Sequence, residues 1–259
     1  GQDLLVQAMS GIISVTGWED GPPVAVGTYM ADVAGALTAT YGVLAALYAR
    51  SQYGIGQDIE VSLLDSMIAF QAMETTSFLN SNITPRKSGS GHWLLPPPYG
   101  VFQTKDKDLA LNAHSGEWWP RLCRVPEFAH LAQDPRYATP DARLQHRGEL
   151  TATLQAILCT KTRDEWLEHL GKYDVLCAPV YDYPELFADP QVHHNQMVVE
   201  QDHPTAGRIK VIGLPVKLSE TPGEVGPAAP LLGEHTEEIL QWLGYDAAAV
   251  ERLRQENVL

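Results

Sequence analysis

Asp32 stands directly ahead of a run of small and apolar residues that reads as a helix from Asp32 to Arg50. A carboxylate at a helix start meets backbone N–H groups that lack intrahelical partners and the positive end of the helix dipole, a setting that favours an anion. Two roles follow. Asp is among the preferred N-caps, and an ionised carboxylate in a mostly apolar setting can also act as a nucleophile in covalent catalysis. The segment Ser88-Gly89-Ser90-Gly91-His92-Trp93 is the second candidate. It is glycine-rich but lacks the Lys-Ser/Thr ending of a phosphate loop. It reads either as a flexible linker or as a lid over a site. His193-His194 have no acidic or cysteine partner at ligand spacing, so no metal site is expected. Cys123, Cys159 and Cys177 read as buried apolar fillers. Their odd, sparse distribution fits a reducing cytoplasm. Glu117, Glu165 and Glu168 read as solvated helix faces.

The elements that would position these groups follow from apolar spacing and turn residues. Asp3–Gly17 has helical spacing, and Val24–Thr28 suits a short extended entry. In the helix after Asp32, residues Leu37, Tyr41, Leu44 and Leu47 or Tyr48 form one stripe expected to be buried. Ala34, Gly35, Ala36 and Ala39 suit a close approach by another element. Gly54-Ile55-Gly56 ends the helix. Asp58–Ser62 alternates like a strand, and Leu63–Leu79 reads as a helix with Leu64, Met67, Ile68 and Gln71 facing inward. The expected class is α/β. Residues 81–98, rich in Pro, Gly and Ser, read as a linker. Tyr99–Phe102 and Leu109–Asn112 read as a hairpin, Asp141–Cys159 as a helix, and Thr162–Glu165 as a capping box opening a helix over Asp164–Leu170. Val175–Val180, Met197–Glu200 and Ile209–Ile212 read as strands, and Thr236–Leu243 as a last helix.

The chain has 259 residues, 44% apolar and 19% charged, a globular composition. Its net charge of −14 leaves no basic excess for nucleic acid, although a local basic pocket stays compatible with it. No apolar run approaches the roughly 20 residues of a membrane helix, and no secretory leader is expected. The chain begins without Met in already patterned sequence, as a cut through a longer protein would.

Several segments together resemble one family. They are Asp3–Gly11, Thr16-Gly17 with Gly21-Pro22-Pro23, Ala31-Asp32, Gly54–Asp65, Pro98–Phe102 and Ala229–Thr236, the last reading Ala-Pro-Leu-Leu-Gly-Glu-His-Thr. The chain resembles class III CoA-transferases of the CaiB/BaiF type, a family including formyl-CoA, carnitine-CoA and succinyl-CoA-dependent dicarboxylate transferases. The resemblance covers essentially the whole chain. It implies a truncated Rossmann-like large domain over 1–80, a linker and glycine loop over 81–98, a small α+β domain over 99–190, and a segment over 191–259 returning to the large domain. It places the family's nucleophile at Asp32, its closing loop near Gly89, Gly91 and His92, and its contact near the CoA pantetheine at Asp3, with Gln2 beside it. It implies CoA thioester as substrate with no permanent cofactor, a small carboxylic acid as acceptor, and interlocked homodimers. Ile55 stands where the family usually has Arg, and the family's N-terminal part is absent. The related α-methylacyl-CoA racemases share the fold. Their catalytic histidine falls on Gln2, which cannot shuttle a proton, and their glutamate falls near Ser115, with Glu117 close by. That favours the transferase. An inactive or partner-dependent fragment is the third reading, with an open sheet edge.

Overall fold

The computed structural model describes residues 1–259, which divide into two compact units, Gly1–Val180 and Tyr181–Leu259. The first unit opens with five helices: α1 (Asp3–Met9), α2 (Ile12–Val15), α3 (Met30–Tyr53), α4 (Leu63–Phe70) and α5 (Ala72–Ser81). Gly54 ends α3 in the left-handed conformation, φ 70°, and its N–H caps the Arg50 carbonyl. Ser62 caps α4 by accepting the Asp65 N–H. The expected single helix over 63–79 is broken at Gln71. That side chain is buried and donates to the Ser10 and Met67 carbonyls, so it pins the break to the end of α1.

The small core of this half is Val6, Ala31, Ala34 and Met67. The small residues of α3 serve the expected purpose at Gly35, where a side chain would collide with Leu63 of α4. The stripe expected to be buried is not. Leu37, Tyr41, Leu44 and Tyr48 are each 59–69% exposed, because α1 and α4 cover only the first turns of α3. The expected strand at 58–62 is unpaired and forms no ladder, and Ile59 and Val61 are exposed. An extended segment becomes a strand only with a hydrogen-bonded neighbour. Contrary to the apolar-run reading, α3 is long and apolar enough to cross a bilayer by length and composition. Its alanines, leucines and valines raise its hydropathy, while its glycines, threonines and tyrosines interrupt any continuous run of large apolar side chains.

After the loop over 82–98 the chain builds an antiparallel sheet in the order β1 (Tyr99–Gln103), β2 (Asp108–Asn112), β3 (Leu176–Pro179). β1 and β2 form the expected hairpin, with Val101 opposite Ala110, and β3 joins β2 with Leu111 opposite Cys177. Between β2 and β3 lie α6 (Trp118–Arg124), two 3-10 turns (Pro126–Gln133 and Pro135–Tyr137), α7 (Pro140–Gln145), α8 (Arg147–Leu158) and α9 (Arg163–Gly171). The expected helix over 141–159 is two helices, broken at His146, whose backbone leaves the helical region. Leu150, Leu154 and Leu158 recur every four residues on α8 and are fully buried. They meet Phe102, Leu109, Leu111, Phe128, Trp166 and Leu170 in the larger core. The Trp166 indole donates to the Leu158 carbonyl at 2.7 Å, which satisfies its one polar atom inside that core. The capping box opening α9 is formed reciprocally between Thr162 and Glu165.

The second unit holds α10 (Tyr183–Ala188), α11 (Pro190–His194), the hairpin β4 (Val198–His203) and β5 (Gly207–Ile212), then α12 (Thr236–Trp242) and α13 (Ala247–Gln255). The two expected strands are there as a pair. Asp182, Asp189 and Asp246 cap α10, α11 and α13.

Candidate functional site

The start of α3 is fixed by a buried polar network. Asp3 Oδ1 accepts the Ala31 N–H at 2.7 Å and the Asp32 N–H at 3.3 Å. Its Oδ2 accepts from Gln7 Nε2 at 2.6 Å. Gln7, 1% exposed, also donates to the Thr28 carbonyl and accepts the Val26 N–H. One glutamine thus ties the extended entry at 26–28 to α1, and one carboxylate caps α3 from outside it. Helix-start N–H groups need acceptors, and buried ones need them most. Sequence reading singled out Asp3 but not Gln7, whose importance rests on a contact 21 residues away.

Asp32 is therefore not the cap. It lies in the first turn of α3, preceded by Tyr29 as the capping position, and its side chain is exposed and makes no hydrogen bond. Asp3, expected beside a ligand, has both oxygens engaged by the protein. Gln2 is exposed, and its carbonyl accepts the Leu5 and Val6 N–H groups that open α1. The structure thus brings Asp3 and Asp32 together through a backbone bond.

The glycine loop is anchored at several points and is not a free linker. The Gly89 N–H donates to the Gly17 carbonyl, and Gly89 sits at φ 70° against the Trp18 ring. Lys87 donates to the Gly21 carbonyl, and Ser90 to the Val101 carbonyl. Gly91 passes so close to β1 that a Cβ would lie 2.7 Å from the Tyr99 carbonyl oxygen, which requires glycine. His92 Nδ1 accepts the Leu94 N–H, which leaves Nε2 to donate to Glu74 Oε1 at 2.9 Å. Arg147, from the start of α8, donates through Nη2 to the carbonyls of His92, Trp93 and Leu95. Sequence reading had no signal for Arg147, since its partners are loop carbonyls some 50 residues away. No hydrogen bond joins the loop to Asp32. Two cavities flank the loop. One of about 410 Å³ is lined by Trp18, Gly89 and Arg147, and one of about 240 Å³ by Glu74, Arg86, His92 and Trp93.

The remaining candidates read more simply. His193 and His194 are exposed at the end of α11. No group of three or more His, Cys, Asp or Glu side chains is arranged to hold a metal ion. Burial pushes the Cys123 thiol up to about 11 and raises Cys177, so neither is a ready thiolate. Cys159, expected to be buried, is exposed beside Gln155. Glu117 pairs with Arg121 at 2.9 Å on the outside of α6.

Residues 1–236 match CoA-transferase family III, and the chain belongs to that family. It is 33% identical, over its whole length, to an acyl-CoA transferase of Fusarium pseudograminearum and to a succinyl-CoA:glutarate CoA-transferase of Mus musculus, covering 57% and 59% of those proteins. It is 30% identical to a formyl-CoA:oxalate CoA-transferase of Rhodopseudomonas palustris, with 98% of this chain and 65% of that protein covered. Among solved structures, a CAIB/BAIF family protein from Brucella suis superposes with a TM-score of 0.80 at 28% identity, over 94% of this chain and 63% of that one. The chain thus spans about three fifths of the length of these relatives.

Proposed function

We propose that this chain carries the nucleophile of a CoA-transferase that moves CoA from an acyl-CoA donor to a small carboxylic acid. The observation that carries the reading is the division of labour at the start of α3. Asp3 takes up the helix-start N–H groups, which leaves the Asp32 carboxylate exposed and without a partner in the first turn. An Asp32 oxygen attacks the thioester carbonyl, the C–S bond breaks, and CoA leaves as thiolate with an aspartyl anhydride formed. The thiolate attacks the aspartyl carbonyl, freeing the donor acid and leaving an aspartyl-CoA thioester. The acceptor carboxylate attacks that thioester, and the released thiolate takes the acyl group from the second anhydride. Two covalent stages replace one difficult exchange. The positive end of the α3 dipole faces the charge that changes at Asp32.

Asp3 acts here through the position of α3 and not by touching CoA, while exposed Gln2 is available to the pantetheine. The loop at Gly89, Gly91 and His92 shields the anhydride from water. In the whole protein the exposed apolar face of α3 suits burial in a homodimer, which light scattering on the full-length protein would test. The transferase reading is tested by assaying CoA exchange between succinyl-CoA and glutarate with the full-length protein. Asp32→Asn is expected to lose activity by at least a thousandfold while the circular dichroism spectrum is kept. A fall of less than tenfold rejects Asp32 as nucleophile. Rapid α-proton exchange in deuterated water without any acceptor acid points instead to racemase chemistry.

A further inference from the structure

The three-stranded sheet has two faces. Phe102, Leu109 and Leu111 turn into the large core, so their neighbours along each strand turn outward. On that outer face the ladder sets Val101, Ala110 and Ala178 in one cross-strand row, and Tyr99, Asn112 and Leu176 in the next. The two alanines leave a depression beside the larger side chains of the second row. Ser90 of the glycine loop closes the Val101 side, where its hydroxyl donates to the Val101 carbonyl at 2.8 Å. The result is a cavity of about 420 Å³. No charged residue lines it, although 19% of the chain is charged. A carboxylate or phosphate entering it would give up hydration with no cation to replace it. An aliphatic group gains by the same move.

One polar group of the second row is held in a set orientation. Asn112 Oδ1 lies 2.8 Å from His114 Nδ1. Burial first, and the charge of Arg143 second, lower the His114 pKa, which favours the neutral ring with its proton on Nδ1, donating to Oδ1. Arg143, 2% exposed and stacked 4.4 Å from the centre of the Trp119 ring, grips the His114 carbonyl at 2.7 Å. The Tyr99 ring meets the imidazole edge-on at 5.4 Å. The imidazole is thus fixed by its backbone and by its ring, and it takes up the Asn112 oxygen. Asn112 Nδ2 remains as the donor for a ligand in the cavity that Asn112 lines.

We propose that this sheet face is an acyl subsite, in which Asn112 Nδ2 donates to the carbonyl oxygen of an uncharged, short aliphatic acyl group whose chain lies over Ala110 and Ala178. The cavity volume equals the liquid share of ~14 waters, room for a chain of a few carbons. Each methylene buried there adds about fourfold in affinity, so a butyryl group gains roughly fifteenfold over an acetyl group. That the acyl group arrives as a CoA thioester rests on the transferase reading above.

The test uses the full-length protein with acetyl-CoA, butyryl-CoA and succinyl-CoA. The last two have equal chain length, and succinyl carries a carboxylate where butyryl ends in a methyl group. Binding is measured by calorimetry in an Asp32→Ala background, where no transfer interferes. Butyryl-CoA is expected to bind at least tenfold more tightly than either of the others. Ala178→Leu fills the depression from an exposed position and is expected to abolish the preference over acetyl-CoA. In a second arm, with Asp32 intact, kcat/KM is compared for acetyl-CoA and butyryl-CoA as donors. Asn112→Asp keeps an oxygen for His114 but loses the Nδ2 donor, and is expected to lower both values by the same factor of at least ten. Equal binding of acetyl-CoA and butyryl-CoA, or a preference unchanged in Ala178→Leu, overturns the subsite. Tighter binding of succinyl-CoA than of butyryl-CoA overturns the uncharged assignment. An unchanged kcat/KM in Asn112→Asp overturns the carbonyl contact. If no donor is turned over but the butyryl preference still depends on Ala178, the subsite stands and the transferase reading falls.

Discussion

The two carboxylates at the start of α3 differ in their surroundings. Asp3 is 9% exposed and accepts three hydrogen bonds, whereas Asp32 is open and accepts none. Removing Asp3 strands the Ala31 and Asp32 N–H groups and the Gln7 amide. Asp3→Ala is expected to cost about 1–3 kcal/mol in urea denaturation and to lower transfer, while Asp32→Ala leaves stability nearly unchanged. Glu127 is one carboxylate that contributes to acid sensitivity. Burial works to raise the Glu127 pKa, but hydrogen bonds from Lys161 at 2.5 Å and His169 at 2.9 Å outweigh it and bring it down to about 2. A carboxylate whose folded pKa is depressed contributes stability above its unfolded value of 4.5 and loses it as pH falls toward about 2. Denaturation midpoints measured from pH 5 to pH 2 are expected to fall less steeply in Glu127→Gln than in the parent chain. Equal slopes would contradict this. Asp32 was legible in the sequence as a helix-start carboxylate, but which of Asp3 and Asp32 caps the helix was not. That depends on a contact across 28 residues, which no local pattern encodes.

Elements defined by their own ends were readable. Thr162 and Glu165 announced α9, Gly54 announced the end of α3, and the alternation of Tyr99–Phe102 and Leu109–Asn112 announced the hairpin. Elements whose limits depend on partners were not. Gln71 interrupts a good helical pattern because its amide reaches Ser10, 61 residues away. The 58–62 segment alternates as a strand would but pairs with nothing. The glycine loop belongs to both groups. Its glycines were visible, while its anchors on β1, α5 and α8 were not. Gly91→Ala places a methyl 2.7 Å from a backbone oxygen that cannot turn away. It is expected to cost about 1–3 kcal/mol by overpacking, and to increase hydrolysis of acyl-CoA relative to transfer by displacing the loop. An unchanged hydrolysis-to-transfer ratio would contradict the shielding role of the loop.

At the scale of the whole molecule the two halves of the first unit are unequal. The core around α8, α9 and the sheet is large, whereas the core under α3 has four fully packed apolar residues. Leu37, Tyr41, Leu44 and Tyr48 leave an apolar stripe open along α3. Stripes of this kind mark contact surfaces or association hazards. The 259-residue chain is expected to bind the dye ANS and to self-associate on sizing columns, and Leu37→Glu with Leu44→Glu to reduce both. A monomer that ignores ANS would contradict the open face. Apolar spacing identified that stripe correctly, but spacing reports which face is apolar and not whether anything covers it.

The central claim, that Asp32 forms the covalent intermediate, is tested most directly by trapping. Full-length protein is incubated with acyl-CoA, quenched with hydroxylamine and digested, and the modified residue is mapped by mass spectrometry. The account predicts a hydroxamate on Asp32 that is absent when acyl-CoA is omitted and absent in Asp32→Ala. A hydroxamate on any other carboxylate, or transfer undiminished in Asp32→Ala, would contradict it.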